Sequence, residues 1–312
     1  MRKFTKILLI GALITASVGI LCIIGSFASG GFQILRDQTN LIYGQKMLGK
    51  LLYDRNHDAS EKEGTIKTDS QSGESTDSYL SKNQTVNLVI DIETADVTFE
   101  TVSGVAKDGE NGTVLVKIQY DKDVQSFDMT EEDGVLTVTE TTEKNNTKLQ
   151  KILENFDGAD VTIQLAEETK IGSLQIISGV GDVTGDRELN CDSISVSLGV
   201  GDVTFKKLNC MQNAQFKTGV GDLSIKGYLH KDITFESGTG DLTVETIDNG
   251  KNEGVSYDLS TGVGDVTIND INVGGSAPSA AYRFLYQGAA QTISMKTGVG
   301  DVSVGMHLER IR

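Results

Sequence analysis

The feature that most constrains this chain is the sequence Gly-Val-Gly-Asp, which occurs six times in its second half, once as Gly-Thr-Gly-Asp. Successive copies begin 20, 20, 19, 24 and 36 residues apart. A near-constant period is typical of stacked repeats, whereas a catalytic loop is needed only once. The sequence therefore predicts repeated corners. Their glycines and aspartates are Gly179, Gly181, Asp182, Gly199, Gly201, Asp202, Gly219, Gly221, Asp222, Gly238, Gly240, Asp241, Gly262, Gly264, Asp265, Gly298, Gly300 and Asp301.

Apolar residues keep a fixed register around each corner. The positions five and three residues before the first glycine, and one, four and six after it, are apolar in 28 of 30 cases. The period of two indicates strands, and one strand-corner-strand unit cannot bury its own apolar face. We therefore predict an all-β fold, a β-solenoid of stacked repeats over residues 166–312. The residues between the glycines, predicted to point into the core, are Val180, Val200, Val220, Thr239, Val263 and Val299.

The corner residues allow several chemical interpretations. Glycine lets stacked backbones approach closely, and each aspartate is predicted to accept a hydrogen bond from the N–H groups of its own corner in an Asx turn. A phosphate-binding loop would open a helix, but each corner opens a strand. Calcium repeats place ligands every nine residues, so calcium is weakly supported. Catalysis on glycans by a pair of these carboxylates remains an open alternative, although no pair of aspartates is distinguished from the others. We predict no catalytic, cofactor-binding or metal-binding residue.

The N-terminus predicts a transmembrane signal-anchor over residues 1–28. Residues 7–27 carry no charge, are long enough to cross a bilayer as a helix, and follow three basic residues. The positive-inside rule then places the rest of the chain outside the cytoplasm. The alternative is a cleaved signal peptide with Ser26 and Ala28 before the cut, but its apolar stretch is usually shorter. The prediction is a single-pass cell-membrane protein.

The region that follows, residues 29–83, predicts a juxtamembrane helix and a disordered linker. Residues 32–53 have a loosely helical apolar period. Residues 54–82 are rich in Ser, Thr, Asp, Glu, Lys and Gly and contain almost nothing apolar. Such a composition is typical of a flexible tether.

Strand patterns begin near residue 84 and predict a β-rich first part of the ectodomain over residues 84–165. The stretch QSFDMTEEDGVLTVTE is a hairpin pattern whose turn contains Asp133 and Gly134. The stretch TADVTF at 94–99 resembles a corner without its glycines, which suggests that the solenoid begins before the clear repeats. Residues 147–157 predict a short helix or loop.

Two cysteines and one aromatic cluster stand out against the repeat. Cys191 and Cys210 are 19 residues apart, close to one period, so stacking would make them neighbours. They could form a disulfide outside the cytoplasm or remain two small buried thiols. The candidate partner contact, in the long gap before the last corner, is Tyr282, Arg283, Phe284 and Tyr286. The alternative for this segment is a loop folded over the end of the solenoid.

The charge of the chain limits its partners. It has 44 acidic and 28 basic residues, a formal net charge of −16, and such a surface repels nucleic acid. The partners expected instead are the membrane, through the N-terminal helix, and a cell-envelope protein or glycan.

The residues also carry a family resemblance. Residues 159–304, with VTIQLAEETKIGSLQIISGVGDVTG followed by repeated TGVGDV, resemble the putative-adhesin domain of unknown function found in bacterial envelope proteins. Ala166 departs from that pattern, because similar proteins often have proline there. The resemblance implies a membrane-tethered surface solenoid, with some members linked to envelope-stress sensing, and transfers no catalytic residue. The expected function is a non-enzymatic envelope module that binds, senses or spaces; the alternative is a polysaccharide-acting solenoid enzyme using an Asp pair.

Overall fold

The structure, a computed structural model, describes residues 66–69, 74–122, 124–140, 158–167, 169–248, 254–274 and 279–308. All of them fall in one compact unit, Glu63–Arg312. The predicted anchor, juxtamembrane helix and 147–157 segment lie outside the described residues. Among the residues described, all regular elements are strands, and no helix has the length and apolar character to span a membrane.

The described chain contains 22 strands, of which 20 belong to one continuous sheet. The first nine are β1 (Ile66–Asp69), β2 (Glu74–Ser81), β3 (Thr85–Val102), β4 (Val105–Lys107), β5 (Glu110–Gly112), β6 (Val114–Asp121), β7 (Phe127–Glu132), β8 (Val135–Glu140) and β9 (Ala159–Ala166). The others are β10 (Lys170–Val180), β11 (Val183–Val200), β12 (Val203–Cys210), β13 (Ala214–Val220), β14 (Leu223–Leu229), β15 (Ile233–Thr239), β16 (Leu242–Asp248), β17 (Val255–Val263), β18 (Val266–Ile268), β19 (Ile271–Asn272), β20 (Ala280–Phe284), β21 (Gln291–Val299) and β22 (Val302–Leu308).

Parallel pairing stacks the described strands into eight coils; in coils 2 to 8 one strand stretch precedes a corner and another follows it, and in coil 1 β8 and β9 take the corresponding places. Strands before the corner pair with each other from coil to coil, and so do strands after it, which is a β-solenoid. In spatial order the coils are coil 1 (β8, β9), coil 2 (β3), coil 3 (β10, first half of β11), coil 4 (second half of β11, β12), coil 5 (β13, β14), coil 6 (β15, β16), coil 7 (β21, β22) and coil 8 (β17, β18).

The spatial order of the coils differs from their order in the chain at both ends. Coil 2 precedes coil 1 in the sequence, and coil 8 precedes coil 7. Ile293 of β21 pairs with Ile233 of β15 on one side and with Tyr257 of β17 on the other, so the last repeat lies between the fourth and the fifth. Because the six glycine corners are built alike, these corners themselves do not determine which of their coils stacks on which.

Four of the five predicted apolar rows form the core. The row three residues before the first glycine and the row four residues after it are each at most 1% exposed. The largest buried side chains are phenylalanines of successive coils. Phe205 and Phe216 have ring centroids 6.3 Å apart, and Phe216 and Phe235 have centroids 5.1 Å apart. Each buried side chain of this size stabilises the fold by about 2 kcal/mol, so the core runs unbroken along the stack.

Antiparallel strands cover both ends of the stack. At the coil 1 end, β7 pairs with β8, β6 pairs with β9, and β2 and β1 extend the sheet. The predicted hairpin turn is confirmed there, because Asp133 and Gly134 have φ of 51° and 75°, the left-handed values of a two-residue hairpin loop. At the coil 8 end, β20 pairs with β17 and β19 with β18. These strands occupy edges that would otherwise be free to pair with other chains.

The prediction of a flexible tether over residues 54–82 is wrong for β1 and β2. Three inward positions of β2 are polar, and Ser75, Asp77 and Ser81 are all buried; the fourth, Tyr79, packs partly buried against the core. Asp77 Oδ2 accepts a hydrogen bond of 2.7 Å from the Tyr120 hydroxyl. The strand therefore lacks the full apolar alternation by which sequence patterns are recognised.

Candidate functional site

The aspartate of each corner binds the coil stacked on it. The N–H of Asp202 donates to Asp182 Oδ1 at 2.8 Å, and the N–H of Asp222 donates to Asp202 Oδ1 at 2.7 Å. The predicted Asx turn within one corner is therefore wrong, because the donor belongs to the next coil. We call this row the aspartate ladder; in spatial order it comprises Asp96, Asp182, Asp202, Asp222, Asp241, Asp301 and Asp265.

The ladder completes the hydrogen bonding of the corner. The N–H groups on either side, those of Gly201 and Val203, donate to carbonyls of the coil above, Val220 and Asp222. The intervening Asp202 N–H points the other way and is accepted by a carboxylate. Neighbouring carboxylates about 4.8 Å apart repel by about 1 kcal/mol in water, and a hydrogen bond to a charged group contributes about 1.5–3 kcal/mol. The backbone N–H donors thus offset the repulsion between neighbouring carboxylates of the ladder.

The hydrogen bonds explain the aspartate ladder, whereas the geometry of the described residues gives no such support for a metal site. Among the residues that the structure describes, no group of three or more His, Cys, Asp or Glu side chains is placed to hold a metal ion.

The residue between the two glycines is exposed, which corrects the prediction that it points into the core. The five valines in this row are 41–55% exposed. These positions are partners in register from coil to coil, so the valines form an apolar row on the surface that Thr239 interrupts once. In spatial order the valine row is Val180, Val200, Val220, Thr239, Val299 and Val263.

The valine row and the aspartate ladder together form a surface that we call the corner strip. The two rows are two residues apart along the chain, and the glycine tracks beside the valines contribute no side chains. The valines therefore stand above bare backbone, with a line of carboxylates along one side. Half-buried outward positions elsewhere in the repeat vary, as in the row Ile177, Ser197, Lys217, Glu236 and Ser260, which the exposed Lys296 completes.

The aromatic segment before the last corner forms the cap of coil 8. Tyr282 lies on β20 opposite Leu259, is half-buried, and has its ring 6.3 Å from that of Tyr257. Phe284 and Tyr286 stay 45% and 48% exposed. The structure thus shows the predicted alternative, a segment folded over the solenoid end, and also leaves aromatic surface accessible.

Other polar residues meet in a shallow cleft that sequence patterns did not indicate. Strands β3 and β11 pair only as far as Phe99 and Gly185 and then diverge. A cleft of about 460 Å³ opens there, lined in part by Arg187. The local signal is one extra residue in β11 relative to β12 before Glu188, a bulge that redirects side chains.

The carboxylates of this cleft are engaged by neighbours. Asp186 forms an ion pair of 2.7 Å with Lys206, and Glu100 accepts a hydrogen bond of 2.8 Å from Gln164 Nε2. The cleft is therefore a polar surface feature whose acids already have partners.

Cys191 and Cys210 are brought together as the repeat period predicts. They are register partners on β11 and β12, and both are buried free thiols. A hydrogen bond with Cys210, with burial adding to it, raises the pKa of the Cys191 thiol far above its usual range. Cys210 Sγ also lies 3.5 Å from the Gln212 carbonyl oxygen and 3.6 Å from that of Asp192.

The family is assigned from a match of the sequence to a family model. The matched residues include the six glycine corners and also coils 1 and 2. Residues 85–304 match the model of the family described as Toastrack DUF4097. The chain belongs to the Toastrack DUF4097 family. The resemblance predicted from residues 159–304 is thereby confirmed, and the Toastrack DUF4097 match extends it to residue 85. A comparison with curated proteins finds no match.

Solved structures similar to this Toastrack DUF4097 chain include three that are described as putative adhesins or as a putative cell adhesion protein. A putative cell adhesion protein from Clostridium sporogenes ATCC 15579 is 16% identical, with 74% of this chain and 98% of that chain covered and a TM-score of 0.42. A putative adhesin from Bacteroides fragilis NCTC 9343 is 16% identical, with 75% and 98% covered and a TM-score of 0.33. A putative adhesin from Parabacteroides distasonis ATCC 8503 is 10% identical, with 75% and 96% covered and a TM-score of 0.29.

Proposed function

We propose that this protein is a non-enzymatic binding module of the bacterial cell envelope, held by a single N-terminal membrane anchor with its solenoid outside the cytoplasm. The observation that carries the proposal is the valine row of the corner strip. An exposed position is free to vary, yet this one is valine in five of six corners. The aspartate ladder beside it has a structural reason in the hydrogen bonds between coils; the exposed valines have no such bond.

The shape of the strip suits binding better than catalysis. It is a straight row of repeated groups, and an extended partner can contact several coils at once. Every ladder carboxylate except that of Asp265, at the end of the row, has one oxygen engaged by a backbone N–H, and the same groups recur from corner to corner, so they offer no distinct pair for acid-base chemistry. The expected partner is an envelope protein or glycan.

The anchor is proposed from the sequence of residues 7–27, an uncharged stretch of membrane-spanning length after three basic residues. Fractionation of cells, followed by protease treatment from the outside, tests it. We expect the protein in the membrane fraction with residues 63–312 accessible. A mature protein in the culture medium beginning at Ser29 would contradict the anchor.

Binding is tested with residues 63–312, the compact unit, incubated with cell-wall fragments and a glycan panel. We expect saturable binding without release of product. Replacing the five valines of the corner strip by threonine keeps β-branched side chains in the strands and should abolish binding with little change in melting temperature.

The matched control carries Thr→Ser changes on the other side of the corners, at Thr184, Thr204, Thr243 and Thr267, and should bind normally. Product release would favour the polysaccharide-acting enzyme. Absence of both binding and product would favour a spacer.

A further inference from the structure

Two cysteines of the solenoid are placed as a pair in adjacent coils. Cys191 and Cys210 are register partners between β11 and β12, in a core row that continues to Ile171 on one side and Leu229 on the other. Both are buried free thiols. We propose that this pair is a site of oxidation at which a disulfide covalently joins the two coils.

The backbone spacing permits the bond after a small movement. Paired parallel strands lie about 4.8 Å apart, within the range of about 4.4–6.8 Å that disulfides need between Cα atoms. Their Cβ atoms lie about as far apart as the Cα atoms, whereas a disulfide needs about 3.5–4.5 Å. One strand must therefore shift by less than about 1 Å.

The end of β12 can supply that shift. Cys210 is the last residue of β12 and is followed by a bend at Met211 and Gln212, whose N–H groups still donate to the carbonyls of Cys191 and Asp192 at 3.1 and 2.7 Å and must open for the shift. Met211 is largely exposed, so opening of this bend brings solvent and reagents to the Cys210 sulfur. Cys191 lies inside β11 and is held from both sides, so it follows as the second sulfur.

The chemistry is thiol-disulfide exchange with an external disulfide R–S–S–R as the oxidant. The Cys210 thiolate attacks one sulfur of the reagent, forming a Cys210–S–S–R mixed disulfide and expelling one RS⁻. Cys191 then loses its proton and attacks the Cys210 sulfur, expelling the second RS⁻. The two cysteines lose two electrons and two protons, and the reagent is reduced to two RSH.

The test uses the full chain with Cys22→Ser, which leaves Cys191 and Cys210 as the only cysteines. The protein is equilibrated with oxidised glutathione and examined by thiol titration, intact mass and peptide mapping without reduction. We expect loss of both thiols, a mass lower by two hydrogen atoms, and one peptide pair linked through Cys191 and Cys210.

The disulfide closes the loop between Cys191 and Cys210, which should also raise the melting temperature by several degrees, on the order of 5 °C. The control adds Cys210→Ser, which keeps the size of the side chain and should show no internal crosslink and no rise. Thiols that remain free after equilibration, or a crosslink between two chains instead of within one, would overturn the proposal.

The proposed location outside the cytoplasm decides only whether cells contain the oxidised form. Alkylation of the protein in intact cells, before lysis, measures this separately. A crosslink that forms with glutathione but is absent in cells would count against the proposed location while the pair itself stands.

Discussion

Replacing Gly221 by alanine should weaken the stack more than its small size suggests. Gly221 has a φ of 144°, and a Cβ built there would lie 2.0 Å from the carbonyl oxygen of Gly201 in the coil below. Relieving the contact requires about 1 Å of separation, because real Cβ contacts are not shorter than about 3 Å. That movement strains the bonds of the same corner: Gly201 N–H to the Val220 carbonyl at 2.9 Å and Asp222 N–H to Asp202 Oδ1 at 2.7 Å.

The cost follows from these contacts. Loss of two hydrogen bonds costs about 1–3 kcal/mol, and the disfavoured backbone conformation adds about 1–3 kcal/mol. At about 2–4 °C per kcal/mol for a domain of this size, the melting temperature should fall by about 10 °C. Circular dichroism or calorimetry measures the change.

Gly104→Ala is the matched control, because a Cβ at Gly104 would meet no heavy atom within 4 Å and its φ is not positive. We expect its melting temperature to be unchanged or slightly higher. If Gly221→Ala melts within about 2 °C of Gly104→Ala, the close stacking of corners does not limit stability.

Three further predictions concern the ladder, the cap and a surface ion pair. Asp222→Ala should lower the melting temperature by about 2–6 °C, because the Asp241 N–H loses its acceptor. Millimolar calcium should not restore the melting temperature of this variant. If calcium instead raises the melting temperature of the unaltered protein by more than about 5 °C, the ladder is a cation site. Replacing residues 280–286 by a Gly-Ser segment of equal length should cause aggregation, seen by light scattering, since β17 then loses its antiparallel partner; a soluble monomer that fails to bind its partner would assign the segment to contact only. The hydrogen bond from Lys207 lowers the pKa of Glu188. This pair therefore stabilises the fold above the unfolded pKa of about 4.3, and the stabilisation is lost as the pH falls through the lower folded value. Lys207→Gln should lower the melting temperature slightly at pH 7, and this effect should shrink as the pH falls through the folded pKa of Glu188; an effect that stays the same in acid would contradict the assignment.

Much of the repeat could be predicted because its physics is local. Alternation of apolar and polar residues determines which side chains enter the core, and rows such as Ile176 to Met295 are buried as the period of two requires. The failure at Val200 has a local cause as well. Gly201 turns the chain with a φ of 144°, so the alternation does not carry through the corner and the valine faces solvent.

The features that could not be predicted depend on contacts distant in sequence. The Asp202 N–H is an unpaired donor within its own corner, and only the coil below shows that Asp182 accepts its bond. The inward face of β2 gives little apolar signal, because it carries Asp77, whose Oδ2 accepts a hydrogen bond from Tyr120 of another strand. The cap was one of two alternatives for its segment, and only the pairing of Tyr282 with Leu259 shows that the segment folds over coil 8; its partner contact stays a prediction.

The exchanged order of coils 7 and 8 has a consequence for how the chain acquires its structure. During synthesis, β17 and β18 emerge before β21 and β22, yet their final neighbours are the strands that come later. Their corner offers the same groups as every other corner, so nothing local prevents early docking on β15 and β16. Such a premature arrangement must come apart before the last repeat can enter. We therefore expect coils 7 and 8 to fold last. Their folding should appear as a slow kinetic phase, because these coils can pair correctly only after the end of the chain has been made.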